Sequence, residues 1–170
     1  MRQHFLMFAA YNAWANQRLY DAAAAMTDEE YRRDVGAFFR SMHGTLNHIL
    51  VADRIWMKRF TGTGEAPVTL DAILYEALGE LRIAREAEDR RIADYIDGLD
   101  ETALAGSFTF TTIANPLTMT AGLGATLSHF FNHQTHHRGQ AHTILSILER
   151  EPPSLDLVQF QRSPEGKRYA

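Results

Sequence analysis

The chain of 170 residues contains no cysteine. Disulfides, zinc-thiolate centres and a cysteine nucleophile are therefore excluded, and any metal must sit on nitrogen or oxygen. Strong positive charge is also missing. With 17 basic against 21 acidic residues the formal charge is −4, which gives no electrostatic case for nucleic acid, since phosphate binding needs a concentrated basic face. No apolar run approaches the length needed to span a bilayer, so no membrane partner is expected. There is no internal repeat. What remains is a globular balance, 45% apolar and 11% aromatic, at a length that fits one domain over residues 1–170. The N-terminus imitates a secretion signal, with Arg2, an apolar stretch from Phe5 to Ala10 and then Ala13, Trp14, Ala15. The apolar run is short and continues directly into a helical pattern, so the segment reads as mature protein and the compartment as cytoplasm.

From Phe5 to Met26 neither proline nor glycine occurs, and a first helix is predicted. Thr27 followed by Asp28, Glu29 and Glu30 predicts a capped short turn of helix. A second long helix is predicted from about Ser41 to Phe60, ended by the Thr61 to Gly64 stretch and Pro67. A third is predicted to open at Thr69 or Asp71 and run to Gly98, apolar at Ile73, Leu74, Ala77, Leu81, Ala84, Ile92 and Ile96. Its charges (Glu80, Arg82, Arg85, Glu86, Glu88, Asp89, Arg90, Arg91) read as a solvated face. Ser107 to Thr111 alternates and is rich in β formers, Asn115 and Pro116 signal a turn, and Leu117 to Thr120 returns, which predicts a small β-hairpin near 106–120. A fourth long helix is predicted from about Thr120 to Arg150, stopped by Pro152 and Pro153. One helical turn is expected around Leu155 to Phe160, with fraying from Ser163. The predicted fold class is all-α: a four-helix bundle with a long crossover and a hairpin insertion.

Five of the eight histidines fall in the last long helix: His129, His133, His136, His137 and His142. Residues four apart share a helix face, so His133 and His137 can direct two imidazoles at one ion; His129 and His133 have the same spacing. At about 100° per residue, Leu123, Leu127, Phe130, Ala141, Ile144, Leu145 and Leu148 define the core direction. His137 lies near that direction and His133 at the edge of the sector, whereas His129, His136 and His142 point away. The pair facing the bundle is His133 and His137. A single histidine on such a helix is more often a hydrogen-bonded core or surface group; a second buried imidazole without a partner costs free energy and shifts the balance. Two ligands do not make a tight site, so a third must come from another helix. The second helix offers His43, His48 and Asp53, and spacing alone does not choose between His48 and Asp53. Asn12 and Asn16 repeat the i, i+4 geometry on the first helix, where they either orient a ligand or belong to a polar surface.

The segments YNAWANQRLY (Tyr11 to Tyr20), HGTLNHILVADRIW (His43 to Trp56) and HFFNHQTHHRGQ (His129 to Gln140) resemble, in order and spacing, the DinB-like family of proposed metal-dependent enzymes. The resemblance spans nearly the whole chain. It implies a four-helix bundle, commonly a homodimer, with one divalent metal on three histidines that match His48, His133 and His137. Arg138, Gly139 and Gln140 match the family pattern as well; Arg138 is expected to pair across the bundle and Gly139 to permit close helix approach. Three neutral imidazoles leave a dication its full charge and an open position, which suits zinc or nickel over iron, cobalt or manganese.

Two classes of function follow. Related families with this bundle and site are transferases and isomerases that use low-molecular-weight thiols such as bacillithiol, mycothiol or glutathione, so the resemblance implies a small-molecule substrate and a metal that activates a cofactor thiol. A metal-dependent hydrolase is a variant of the same class. The other class is a non-catalytic metal-binding or stress-induced dimeric bundle, kept open because Asp53 is the only catalytic carboxylate the sequence nominates. Haem is disfavoured, since histidines on one helix would compete for the same side of the iron.

Overall fold

The structure is a computed structural model that describes residues 1–112 and 116–170. Among the described residues are seven α-helices and one two-stranded antiparallel hairpin. Four helices are long: α1 (Arg2–Ala24), α3 (Met42–Thr61), α4 (Leu78–Asp97) and α6 (Leu123–Ile147). Helix α1 packs on α4 and α6, and α3 packs on the same two, so the four close a bundle with α3 and α6 as one adjacent pair. The short helices are α2 (Asp28–Arg32), α5 (Glu101–Ala105) and α7 (Leu157–Arg162). None of the described helices is long and apolar enough to cross a membrane.

Local chemistry explains the ends. Thr27 and Glu30 form a reciprocal capping box on α2. The Ser41 side chain accepts from the Gly44 amide at the start of α3, and Gly62 closes that helix at φ 72°, a left-handed value that glycine adopts without strain. Gly44 meets a second demand: a Cβ there would run into the carbonyl oxygen of Phe39, so the loop before α3 can lie against the helix only over a glycine. Strands β1 (Ser107–Thr111) and β2 (Thr118–Gly122) pair with Thr109 opposite Thr120, at the predicted place. Of the predicted turn, Asn115 lies outside the described residues.

Helix α4 begins at Leu78, well after the predicted start at Thr69 or Asp71. The preceding backbone is taken by side chains of α3. Asn47 Oδ1 accepts from the amides of Leu74 (2.8 Å) and Tyr75 (3.1 Å), while Asn47 Nδ2 donates to the Tyr75 carbonyl (3.2 Å). His43 adds a bond to that carbonyl at 3.1 Å. Groups that a longer helix would have paired internally are satisfied across the fold instead, and residues 62–77 form an extended strap over α3. This strap is the long crossover of the bundle.

The charged run of α4 is also not a uniformly solvated face. Leu81, Ala84, Arg85, Glu88, Asp89, Ile92 and Ile96 form one buried stripe, so the helix carries three charges into the bundle. There Arg85 Nη1 donates to Asp53 (2.6 Å) and Arg85 Nη2 lies 3.0 Å from Asp89. Asn12 and Asn16 each donate to Asp89 at 3.0 Å, Arg138 donates to both asparagine carbonyls, and Gln134 donates to Asp53 at 2.8 Å. This polar layer joins all four long helices and separates two apolar clusters, one around Leu19, Leu46 and Leu145, the other around Phe5, Met57 and Phe130. Buried charges persist only when paired, and every charge in the layer has a hydrogen-bonding partner. The C-terminal tail, expected to fray from Ser163, folds back: Tyr169 stacks on Phe160, whose ring is buried against Tyr11.

Candidate metal centre

Helix α6 is predicted to present His133 and His137 to the bundle, and it does. His137 is buried and His133 half-buried, while His129 and His136 are exposed. Facing them, α3 contributes His48, buried to 3% exposure. The His137 Nε2 lies 3.1 Å from His133 Nε2 and 3.2 Å from His48 Nε2. One nitrogen from each ring falls within 4.8 Å of the others, forming the one such group of histidine or carboxylate ligands among the described residues.

The outer nitrogens decide what the inner ones present. His48 Nδ1 donates to the Leu70 carbonyl at 2.7 Å, and His137 Nδ1 donates to Gln140 Oε1 at 2.8 Å. A ring that donates from Nδ1 while neutral has a bare Nε2. Two bare Nε2 atoms 3.2 Å apart cannot hydrogen-bond to each other, and their lone pairs repel. A cation between them removes that repulsion. The spacing suits one: ligand nitrogens of a tetrahedral zinc ion lie about 3.3 Å apart when each bond is about 2.0–2.1 Å. Burial keeps the rings neutral. It lowers His48 to about 4 against the opposing Leu70 bond. Burial, then the positive charge that His137 would carry, lowers His133 to about 3. His137 is lowered by burial too, with Gln140 working the other way.

The strap and the loop before α3 complete the surroundings. Leu70 belongs to the strap, so the segment that delays α4 also orients His48. Phe39 stacks on the His48 ring, centroids 3.7 Å apart and planes 16° off parallel. On the opposite flank His129 stands 6.0 Å from His133 and 5.3 Å from Trp56, ring centre to ring centre. His133 makes no Nδ1 hydrogen bond among the described residues, which marks it as the ring with most freedom.

Asp53, the alternative to His48 and the candidate catalytic carboxylate, lies outside this group. It is fully buried and committed to Arg85 and Gln134. The reason is angular: five residues beyond His48 on an α-helix is a rotation of about 140°, which turns Asp53 from α6's histidines toward α4. Asn12 and Asn16 likewise orient no histidine; they bridge Asp89 and Arg138. Arg138 pairs across the bundle as expected. Gly139 does not serve a close helix approach, because a Cβ there would meet nothing within 4 Å. Gln140, to which the sequence reading gives no chemistry, orients His137; its place three residues on, and so on the same face, was the available signal. Phe39 and the Leu70 carbonyl carry no sequence signal.

A helical bundle with a three-histidine group able to hold a metal ion, set between its second and last long helices, defines the class of protein. The model of the DinB family matches residues 1–168, and the chain belongs to that family. It is also similar to Protein DinB of Bacillus subtilis (strain 168), 28% identical over 144 residues that cover 79% of this chain and 80% of the relative.

Proposed function

We propose that His48, His133 and His137 bind one divalent metal, zinc or nickel by the chemistry of three neutral imidazoles, and that the protein is a metal-dependent transferase acting with a low-molecular-weight thiol. The observation that carries the metal reading is the convergence of bare Nε2 atoms fixed by hydrogen bonds on their far sides. Bound there, a divalent ion supplies positive charge that lowers the pKa of a thiol or water brought to it. The chain's own part is to hold three neutral donors, keep the site partly dry with Phe39 and leave the His133 flank open. A hydrolase needs a base beside the histidines to take a proton from water, and the nearest nominated carboxylate, Asp53, is tied to Arg85. A substrate that arrives with an acidic nucleophile of its own, as a thiol does, fits better. The same reading includes a homodimer, supported by Phe38 at 80% and Ile147 at 54% exposure beside Gln140, and a cytoplasmic setting.

The test is conjugation of bacillithiol, mycothiol or glutathione to a generic electrophile by zinc-loaded, nickel-loaded and metal-stripped protein. Turnover with one thiol that disappears on stripping and returns with the metal is expected. Stoichiometric metal uptake without acceleration by any of the three would favour the non-catalytic metal-binding bundle, and full activity after stripping would contradict the metal reading.

A further inference from the structure

A cavity of about 660 Å³ opens between the C-terminal half of α3, the strap and β1. Its walls include Ile55, Pro67, Val68 and Phe110, and its charged residues are Lys58 and Arg59; among the described residues no acidic one lines it. The volume is that of a small-molecule site. Lys58 is exposed and stands in the last turn of α3, where a base is favoured by the helix dipole in any protein. Arg59 is different. Its guanidinium lies 4.4 Å from the centre of the Trp56 ring and 5.1 Å from that of Phe110. The Trp56 and Phe110 rings meet each other edge to face at 5.3 Å, so both lie to one side of the guanidinium, and its N–H donors have no hydrogen bond or ion pair among the described residues. A half-buried, ring-stacked guanidinium with its fork unused is matched in shape and charge by a carboxylate. A phosphate dianion fits less well, because the carbonyl end of α3 at Gly62 also faces this cavity.

The cavity and His48 lie along the same face of α3. Ile55 and Arg59 stand seven and eleven residues beyond His48, within about 20° of it around α3, and Arg59 is about 16 Å along the axis. Val68 in the cavity wall is two residues from Leu70, whose carbonyl holds His48. Trp56, under Arg59, touches His129 next to His133. We propose that this cavity binds a small molecule through a carboxylate held by Arg59, with the rest of the ligand extending along α3 toward the three histidines. Only the direction of extension rests on the metal reading; the carboxylate site does not.

In a Trp14→Phe background Trp56 is the sole tryptophan and reports directly on Arg59. Its emission is titrated with 4-phenylbutyrate and octanoate, each against its primary amide. The acids should give a saturable change and bind about tenfold or more tighter than the amides, a charge-assisted pair being lost in the latter. Arg59→Gln keeps a planar group beside the rings without charge, and should erase the preference while circular dichroism stays unchanged. Equal binding of acid and amide, saturation by neither, or a preference that survives Arg59→Gln would overturn the proposal. Zinc uptake measured on the same samples separates the two readings: acid preference without zinc binding supports the carboxylate site and removes the metal centre.

Discussion

Replacing Asp53 by Asn tests whether that carboxylate belongs to the polar layer or to the chemistry. The substitution is isosteric, so packing is kept, but it removes the negative charge that pairs with Arg85 Nη1, which now sits 2.6 Å from a carboxylate oxygen. Both side chains are within 2% of full burial, so solvent screening gives no relief. Removing one partner of a buried pair costs about 3–5 kcal/mol, and the lower end applies because Asp89 remains 3.0 Å from Arg85. About 3 kcal/mol in a domain of this size corresponds to a fall of roughly 6–12 °C in Tm. Urea unfolding of the two proteins, with zinc content measured at a temperature where both are folded, reads the two quantities separately. A loss of about 3 kcal/mol with unchanged metal content is expected. A change below about 1 kcal/mol, or a folded variant that no longer holds metal, would refute the placement of Asp53 in a structural layer.

Asn47→Ala should release the strap: the Leu74 and Tyr75 amides lose their partner, at about 1 kcal/mol or more each, the Tyr75 carbonyl keeps only His43, and hydrogen exchange at Leu74 and Tyr75 should approach that of an open loop. Gln140→Leu should weaken metal binding about 10–100-fold by freeing the His137 ring, with Gln140→Glu restoring much of it, as read by competition with a chelator. The metal-free protein should lose stability as pH falls. Folded His48 and His133 stay neutral down to about 4 and about 3, whereas unfolded imidazoles take up protons below about 6.5. The unfolded chain therefore binds more protons from pH 6.5 to about 3, the excess shrinking once His48 titrates near 4, and the urea midpoint should fall across that window; a flat midpoint from pH 7 to 4 would show that the rings are not buried as neutral groups.

The parts of the fold legible in the sequence are those governed by local pattern. The i, i+4 spacing and the apolar direction of α6 suffice to single out His133 and His137, and the β-rich stretch locates the hairpin. The third histidine was not legible from spacing, because His48 and Asp53 are both buried on α3 and differ only in which neighbour they face. The charges of α4 held the missing clue: Arg85 and Asp89, four residues apart, lie in line with Leu81, Ile92 and Ile96. Seen as a stripe rather than a charge run, they call for buried partners, which Asp53, Asn12 and Asn16 supply. The late start of α4 was beyond any local signal, since Asn47 on α3 captures the backbone that a helix from Thr69 would have used. Tertiary hydrogen bonds override propensity there, and the same strap orients His48.

The central claim is that three histidines from two helices hold one ion. Its most direct test is elemental analysis of the purified protein beside His48→Ala, with circular dichroism confirming that both are folded. One divalent ion per chain in the first and a large loss in the second is the result expected of a His48, His133, His137 site. Metal retained in full by His48→Ala, or none taken up by the unaltered protein when zinc and nickel are supplied, would contradict it.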